Sequence, residues 1–240
     1  MKEGIKTRIA SAFKMQIIGI IVLISIIGFT TVACSGKAAP ASDFSYDLTA
    51  DGKGIKITHY TGKRSGTLVF PSTIEDMPVL EIADGFGGYT SSITSVVIPS
   101  SVVRIGNNAL HSEYFNKVTL SEGLKIIGDY AFLDSSITTI KLPDSLEEIG
   151  MGAFAKCFKL TSVNLPKNLK TIRSNAFLGC MELAQVTIPA TLQNVNFPPP
   201  VESTDTFTSP VTENNAFNFC QKLPLKTRQA IQNLGYKDDF

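Results

Sequence analysis

Six side chains in this 240-residue chain are of the types that attack, shuttle protons or hold soft metals: Cys34, Cys157, Cys180, Cys220, His59 and His111. A thiol nucleophile needs a base and an orienting group beside it, and neither stands near any of the four cysteines in the sequence. Zinc needs ligands that converge as a tetrahedron. The two histidines are 52 residues apart and keep neither metal-type nor triad-type spacing. There is no GxSxG, HExxH, CxxC or phosphate loop. The run "GFGG" from Gly85 to Gly88 is not set in a strand–loop–helix unit, so it reads as a corner and not a nucleotide site. Basic and acidic residues number 22 and 21, which is no footprint for nucleic acid. No catalytic residue, metal, cofactor or nucleic-acid partner is expected.

The spacing of the thiols has another source. Ile93-Val96-Ile98, Phe115-Val118-Leu120, Ile137-Ile140-Leu142, Leu160-Val163-Leu165 and Leu183-Val186-Ile188 share one pattern. Each is followed by Val102, Leu124, Leu146, Leu169 or Leu192, then by Ile105, Ile127, Ile149, Ile172 or Val195. Ala109-Leu110, Ala131-Phe132, Ala153-Phe154 and Ala176-Phe177 come next, so the period is 22 or 23 residues. Cys157 and Cys180 occupy one phase of it, with Glu113, Ser135 and Cys220 as equivalents. A period of this length signals stacked units that cannot fold singly. The thiols then form a column of small inward side chains, and free thiols are expected, because side chains on neighbouring coils keep their Cβ atoms too far apart for a disulfide. The Gly of the recurring "IG" is read as convenient but not obligatory, since Arg173 stands at one such place.

In the V-x-L step, Val163 and Leu165 share one side of a strand and Asn164 takes the other. Pro143, Pro166 and Pro189 sit just past the strand and end its ladder, lacking an N–H. The sequence resembles the BspA-like leucine-rich repeats of bacterial surfaces over roughly 44–223, through "L–xx–V–x–LP–xx–L–xx–IG–xx–AF–xx–C". Ser121, Arg173 and Leu110 depart from the pattern. The resemblance implies a leucine-rich repeat solenoid of right-handed coils, with a parallel β-sheet on one face and an N-terminal β-hairpin cap. The alternation around "ADGKG" fits the hairpin independently. "PLKTRQAIQNLGY" (224–236) reads as a short C-terminal helix stopped by Gly235. The repeats span about 65–223, between a cap over 43–64 and a C-terminal cap over 224–240. A loop at 197–212 interrupts them after Val195, and "NNAFNFC" then resumes the phase.

Lys2, Lys6, Arg8 and Lys14 precede the thirteen-residue apolar run from Ile17 to Phe29 and "TTVAC". That run is short for a span, which needs about 20 residues. It fits the apolar region of a signal peptide, and "TVAC" resembles a lipobox. The chain therefore reads as a lipoprotein: a signal peptide over 1–33, lipidation at Cys34, and a flexible tether over 34–42. Losing four basic residues and one acidic one leaves 18 against 20, a net charge of −2. The exported protein would be anchored by lipid to a membrane, periplasmic or on the outer-membrane surface.

Outward strand positions form two columns, Thr67, Ser95, Lys117, Thr139, Ser162 and Gln185, and Val69, Val97, Thr119, Lys141, Asn164 and Thr187. Six strands at about 4.8 Å give a face of roughly 29 Å by 10 Å, on the order of 300 Å². A stable interface needs ~800 Å² per partner. Phe197, Val201 and Phe207 of the inserted loop are candidate additional contacts. The leading reading is a recognition or adhesion module for a host or envelope protein, with weak self-association as a further contact. The alternatives are a carrier or sensor of a small apolar ligand, and a structural envelope protein.

Overall fold

The computed structural model describes residues 36–63, 65–87, 91–112, 114–190, 192 and 215–235. The expected signal peptide, Cys34 and the inserted loop with Phe197, Val201 and Phe207 lie outside them.

The chain opens with a 3-10 turn at Ala41–Asp43, then the antiparallel pair β1 (Phe44–Leu48) and β2 (Ile55–Tyr60). Two strand faces follow from the repeat. The V-x-L face holds β3 (Gly66–Val69), β6 (Ile93–Val97), β8 (Lys117–Thr119), β10 (Thr139–Lys141), β12 (Ser162–Asn164) and β14 (Gln185–Thr187). It falls into two three-stranded parallel sheets, β3-β6-β8 and β10-β12-β14. Across the solenoid, β4 (Thr73–Ile74) flanks β5 (Met77–Gly87). The two-residue strands β7 (Arg104–Ile105), β9 (Ile126–Ile127), β11 (Glu148–Ile149) and β13 (Thr171–Ile172) stack on β5. This second face joins the hairpin in the order β1-β2-β5-β7-β9-β11-β13, because β2 runs parallel to β5. The N-terminal hairpin therefore shares a sheet with the coils it covers.

A third set of backbone bonds joins each coil to the next. Leu110, Phe132, Phe154 and Phe177 N–H groups donate to Ala131, Ala153, Ala176 and Ala216 carbonyls at 2.7–2.8 Å. Their side chains fill the interior. Phe132, Phe154, Phe177 and Phe217 stack with ring centroids 5.0–5.3 Å apart and planes within 9°. Phe217 lies directly on Phe177 although forty residues separate them, so the array resumes its phase after the insertion. Phe44, Tyr60, Phe70 and Phe86 make a separate, tilted aromatic cluster under the hairpin.

The helix α1 (Leu225–Asn233) begins after Pro224 and buries Ile231. Arg228 donates from Nε to the Leu223 carbonyl and from Nη2 to the Gln221 carbonyl, both at 2.7 Å. The guanidinium fork thereby satisfies acceptors that another coil would otherwise have met. Gly235, at φ 96°, stands just past the helix end.

Two expectations are corrected. The 34–42 tether is not loose throughout: Ala39 is buried, and its N–H donates to the Val69 carbonyl at 2.8 Å. The folded body thus begins before residue 43. The "IG" glycine is also more than convenient. A Cβ on Gly106, Gly128 or Gly150 would come within 2.5–2.7 Å of backbone and Asx atoms of the preceding coil. The cause is close approach and not φ. The left-handed corners lie two residues later, at Gly85, Asn108, Tyr130, Gly152 and Asn175, with a second set at Asp134, Lys156, Gly179 and Phe219.

Candidate functional site

Strand pairing settles the register of the outward columns. Thr67 pairs with Ser95 and Ser95 with Lys117; Thr139 pairs with Ser162 and Ser162 with Gln185. In the second column Val69 pairs with Val97 and Val97 with Thr119, and Lys141 with Asn164 and Asn164 with Thr187. Between them lie the buried Leu68, Val96, Val118, Ile140 and Val163, so alternation along each short strand sends the columns outward. Thr67, Lys117, Thr139, Lys141, Asn164, Gln185 and Thr187 are exposed, and Ser95, Thr119 and Ser162 are half-buried.

The stacking of β10 on β8 places the two lysines on neighbouring strands. Lys117 lies in the first column and Lys141 in the second, on strands adjacent in the stack. Strand spacing and rise put their Cα atoms about 8 Å apart along the diagonal. Neither makes an ion pair among the described residues. Their row meets no carboxylate in the two columns, so the centre of the face carries uncompensated positive charge.

Several charges of the second face are paired. On the second face Glu147 receives Lys125 at 2.7 Å and Lys170 on its other oxygen. Hydrogen bonds from these two ammonium groups hold its carboxyl down at about 2. Arg173 Nε donates to Glu148 at 2.8 Å, and Arg104 to Asp84 at 2.6 Å. This face is laced by its own ion pairs, in contrast to the V-x-L face.

The thiols are buried in one column, as expected of a structural phase. Each Sγ donates across to the coil before it: Cys157 to the Phe132 carbonyl at 3.3 Å, Cys180 to Phe154 and Cys220 to Phe177 at 3.2 Å. A hydrogen bond with Cys157 and burial push the Cys180 thiol well above its ordinary range. A thiol so held is a poor nucleophile. Ser135, at the same phase, is buried with no partner for its hydroxyl. His59 is exposed on β2 and His111 is exposed beyond the Ala109-Leu110 turn. Among the described residues no three His, Cys, Asp or Glu side chains are placed to hold a metal ion, and no helix is long and apolar enough to cross a membrane.

Two features escaped the sequence reading. One is a ladder in which Asp84 Oδ1 accepts from Asn107 N–H at 2.8 Å, Asn107 Oδ1 from Asp129 N–H at 2.9 Å, and Asp129 Oδ1 from Met151 N–H at 2.7 Å. The Asx residue two places after Ile82, Ile105 and Ile127 was its signal. The ladder stops at Met151, and in the next coil Arg173 replaces the glycine. The other is a set of exposed apolar side chains, Tyr114, Phe158 and Met181, each 44–46% exposed, of which Phe158 and Met181 stand at equivalent positions of adjacent coils. For Phe158 and Met181 the signal was the extra residue in the longer coils: Cys157 and Leu160 enclose two residues where Ser135 and Ile137 enclose one.

Comparison with known proteins agrees with this geometry. Residues 82–197 match the BspA type leucine rich repeat region in six copies. The crystal structure of a T. pallidum leucine rich repeat protein, TpLRR, is 30% identical, with a TM-score of 0.56, over 85% of this chain and 99% of that one. The pneumococcal vaccine antigen PcpA is 20% identical, with a TM-score of 0.51, over 76% of this chain and 62% of that one, a likeness of fold alone. No curated protein matches. With its repeats in register, its phenylalanine stack and a relative aligned over nearly its whole length, the chain belongs to the BspA-type leucine-rich repeat family.

Proposed function

We propose that the chain is a recognition or adhesion module of the cell envelope, held at a membrane by lipid on Cys34 and binding a host or envelope protein through its V-x-L face. The observation that carries the reading is the contrast between the two strand faces. One neutralises its charges internally; the other presents ordered hydroxyl and amide columns with Lys117 and Lys141 unpaired among the described residues. Leaving a cation in water costs little, so the pair is available to an incoming carboxylate. The basic segment, short apolar run and "TVAC" support the anchor. In this reading residues 197–211 are to supply the contact area that the columns lack.

The test is a pull-down from solubilised envelope and host matrix, followed by affinity at two salt concentrations. Lys117→Glu with Lys141→Glu should weaken binding, and the loss should shrink as salt rises. Deleting 197–211 should weaken it with little salt dependence. If both variants melt normally and bind as the parent does, the V-x-L face is the wrong surface. For the anchor, the full chain should enter the detergent phase and Cys34→Ser the aqueous phase. Partition of both into water, or a free Cys34 N-terminus on sequencing, would refute lipidation.

A further inference from the structure

We infer that the recognition face continues over its upstream rim, and that its partner is an acidic protein segment carrying apolar side chains. This rests on the reading above and specifies its partner. Tyr114 lies just before β8, Phe158 just before β12 and Met181 just before β14. All three expose nearly half their surface. They border the strands that carry Lys117, Ser162 and Gln185.

These side chains leave nearly half of their surface outside the folded body. A coil closes with 22 residues, as the run through Ser135 and Ile137 shows, so the extra residue of the longer coils is not demanded by coil geometry. In the two central coils it brings Phe158 and Met181 to the surface, where exposed apolar groups mark interaction sites. The second set of left-handed corners shapes the patch. Gly179 at φ 69° leaves room for Phe158, whose ring edge lies 4.0 Å from where a Cβ would stand. Phe158 therefore leans over the following coil toward Met181.

Charge selects the partner. The centre of the face is positive, and three carboxylates beside its strands are engaged. Glu122 accepts the N–H groups of Asp144 and Ser145 at 3.1 Å, Asp144 pairs with Lys167 at 2.9 Å, and Glu182 pairs with Lys222 at 2.5 Å. A carboxylate-bearing segment would meet two cations and no anion in the two columns. Area agrees. The columns offer on the order of 300 Å², and three half-exposed large side chains extend that area toward the ~800 Å² per partner of a stable interface. A glycan sulfate or a lipid headgroup would use the lysines but would leave the rim without a role.

The experiment pans a phage library of random twelve-residue peptides on the full chain, purified in detergent and immobilised. Enriched peptides should combine Asp or Glu with aromatic or aliphatic residues. Their affinity should fall roughly tenfold or more for Phe158→Ser with Met181→Ser, and similarly for Lys117→Glu with Lys141→Glu. Phe158→Leu with Met181→Leu should retain it, as should Val103→Ser, an exposed apolar residue beside β7 on the other face. Melting temperature checks that each variant is folded. Enrichment of neutral or basic peptides, no enrichment, or binding that survives the serine pair would overturn the inference, as would capture of heparin in preference to every peptide. A pull-down partner that needs the lysines but tolerates the serine pair removes the rim and leaves the recognition face standing.

Discussion

Phe154 is the residue through which the stacked architecture is most directly tested. It is fully buried, with Phe132 and Phe177 each 5.3 Å away and within 8° of parallel. Truncation to Ala removes the ring from the interior and breaks contacts on both sides, coupling lost to two neighbouring coils at once. Phe→Ala in a core costs about 3–5 kcal/mol. Each aromatic pair is worth about 0.5–1.5 kcal/mol beyond area, which places Phe154→Ala in the upper half of that range. With a urea slope of about 2 kcal/mol per molar, the midpoint should fall by about 2 M. Phe154→Leu should lose about 1 kcal/mol, because the column already admits Leu110. Lys156→Ala is the control: Lys156 is exposed, and at φ 57° Ala and Lys carry the same Cβ penalty. It should shift stability by under about 0.5 kcal/mol. The assay is urea unfolding of a soluble form beginning at Gly36, followed by circular dichroism. A Phe154→Ala shift under about 0.5 M, or a Lys156→Ala shift as large, would refute the packing register.

Asp129→Ala should cost about 1–3 kcal/mol by stranding the half-buried Met151 N–H, whereas Asp129→Asn keeps an Oδ1 acceptor and should cost much less; urea midpoints of the two separate a ladder role from a charge role. The depressed Glu147 carboxyl contributes stability that is present above its ordinary pKa of 4.5 and is lost as pH falls toward about 2. Stability measured against pH in that window should therefore be flatter for Glu147→Gln than for the parent, and parallel curves would contradict the pairing. Cys157, Cys180 and Cys220 should resist alkylation in the folded protein near neutral pH and react on denaturation, read by mass spectrometry of the form from Gly36. Rapid labelling of Cys180 in the native state would show the column to be open.

The sequence by itself determined the period, the inward phase, the outward columns and the point of resumption at Ala216 and Phe217. Each of these depends on side-chain type at a fixed offset, and burial selects type. It also identified the thiols as structural, since three residues at one phase and no neighbouring base leave little for chemistry. What only the tertiary structure decided is what depends on distances between coils. The second parallel face is built from two-residue strands too short to show alternation. The need for Gly128 comes from the approach of Asn107 and Gly106 in the preceding coil, which no local backbone preference reports. The Asx ladder pairs side chains with N–H groups 22 or 23 residues away. The Lys117–Lys141 proximity and the apolar rim likewise appear only when coils are set one on another, because neighbours across a solenoid are far apart along the chain.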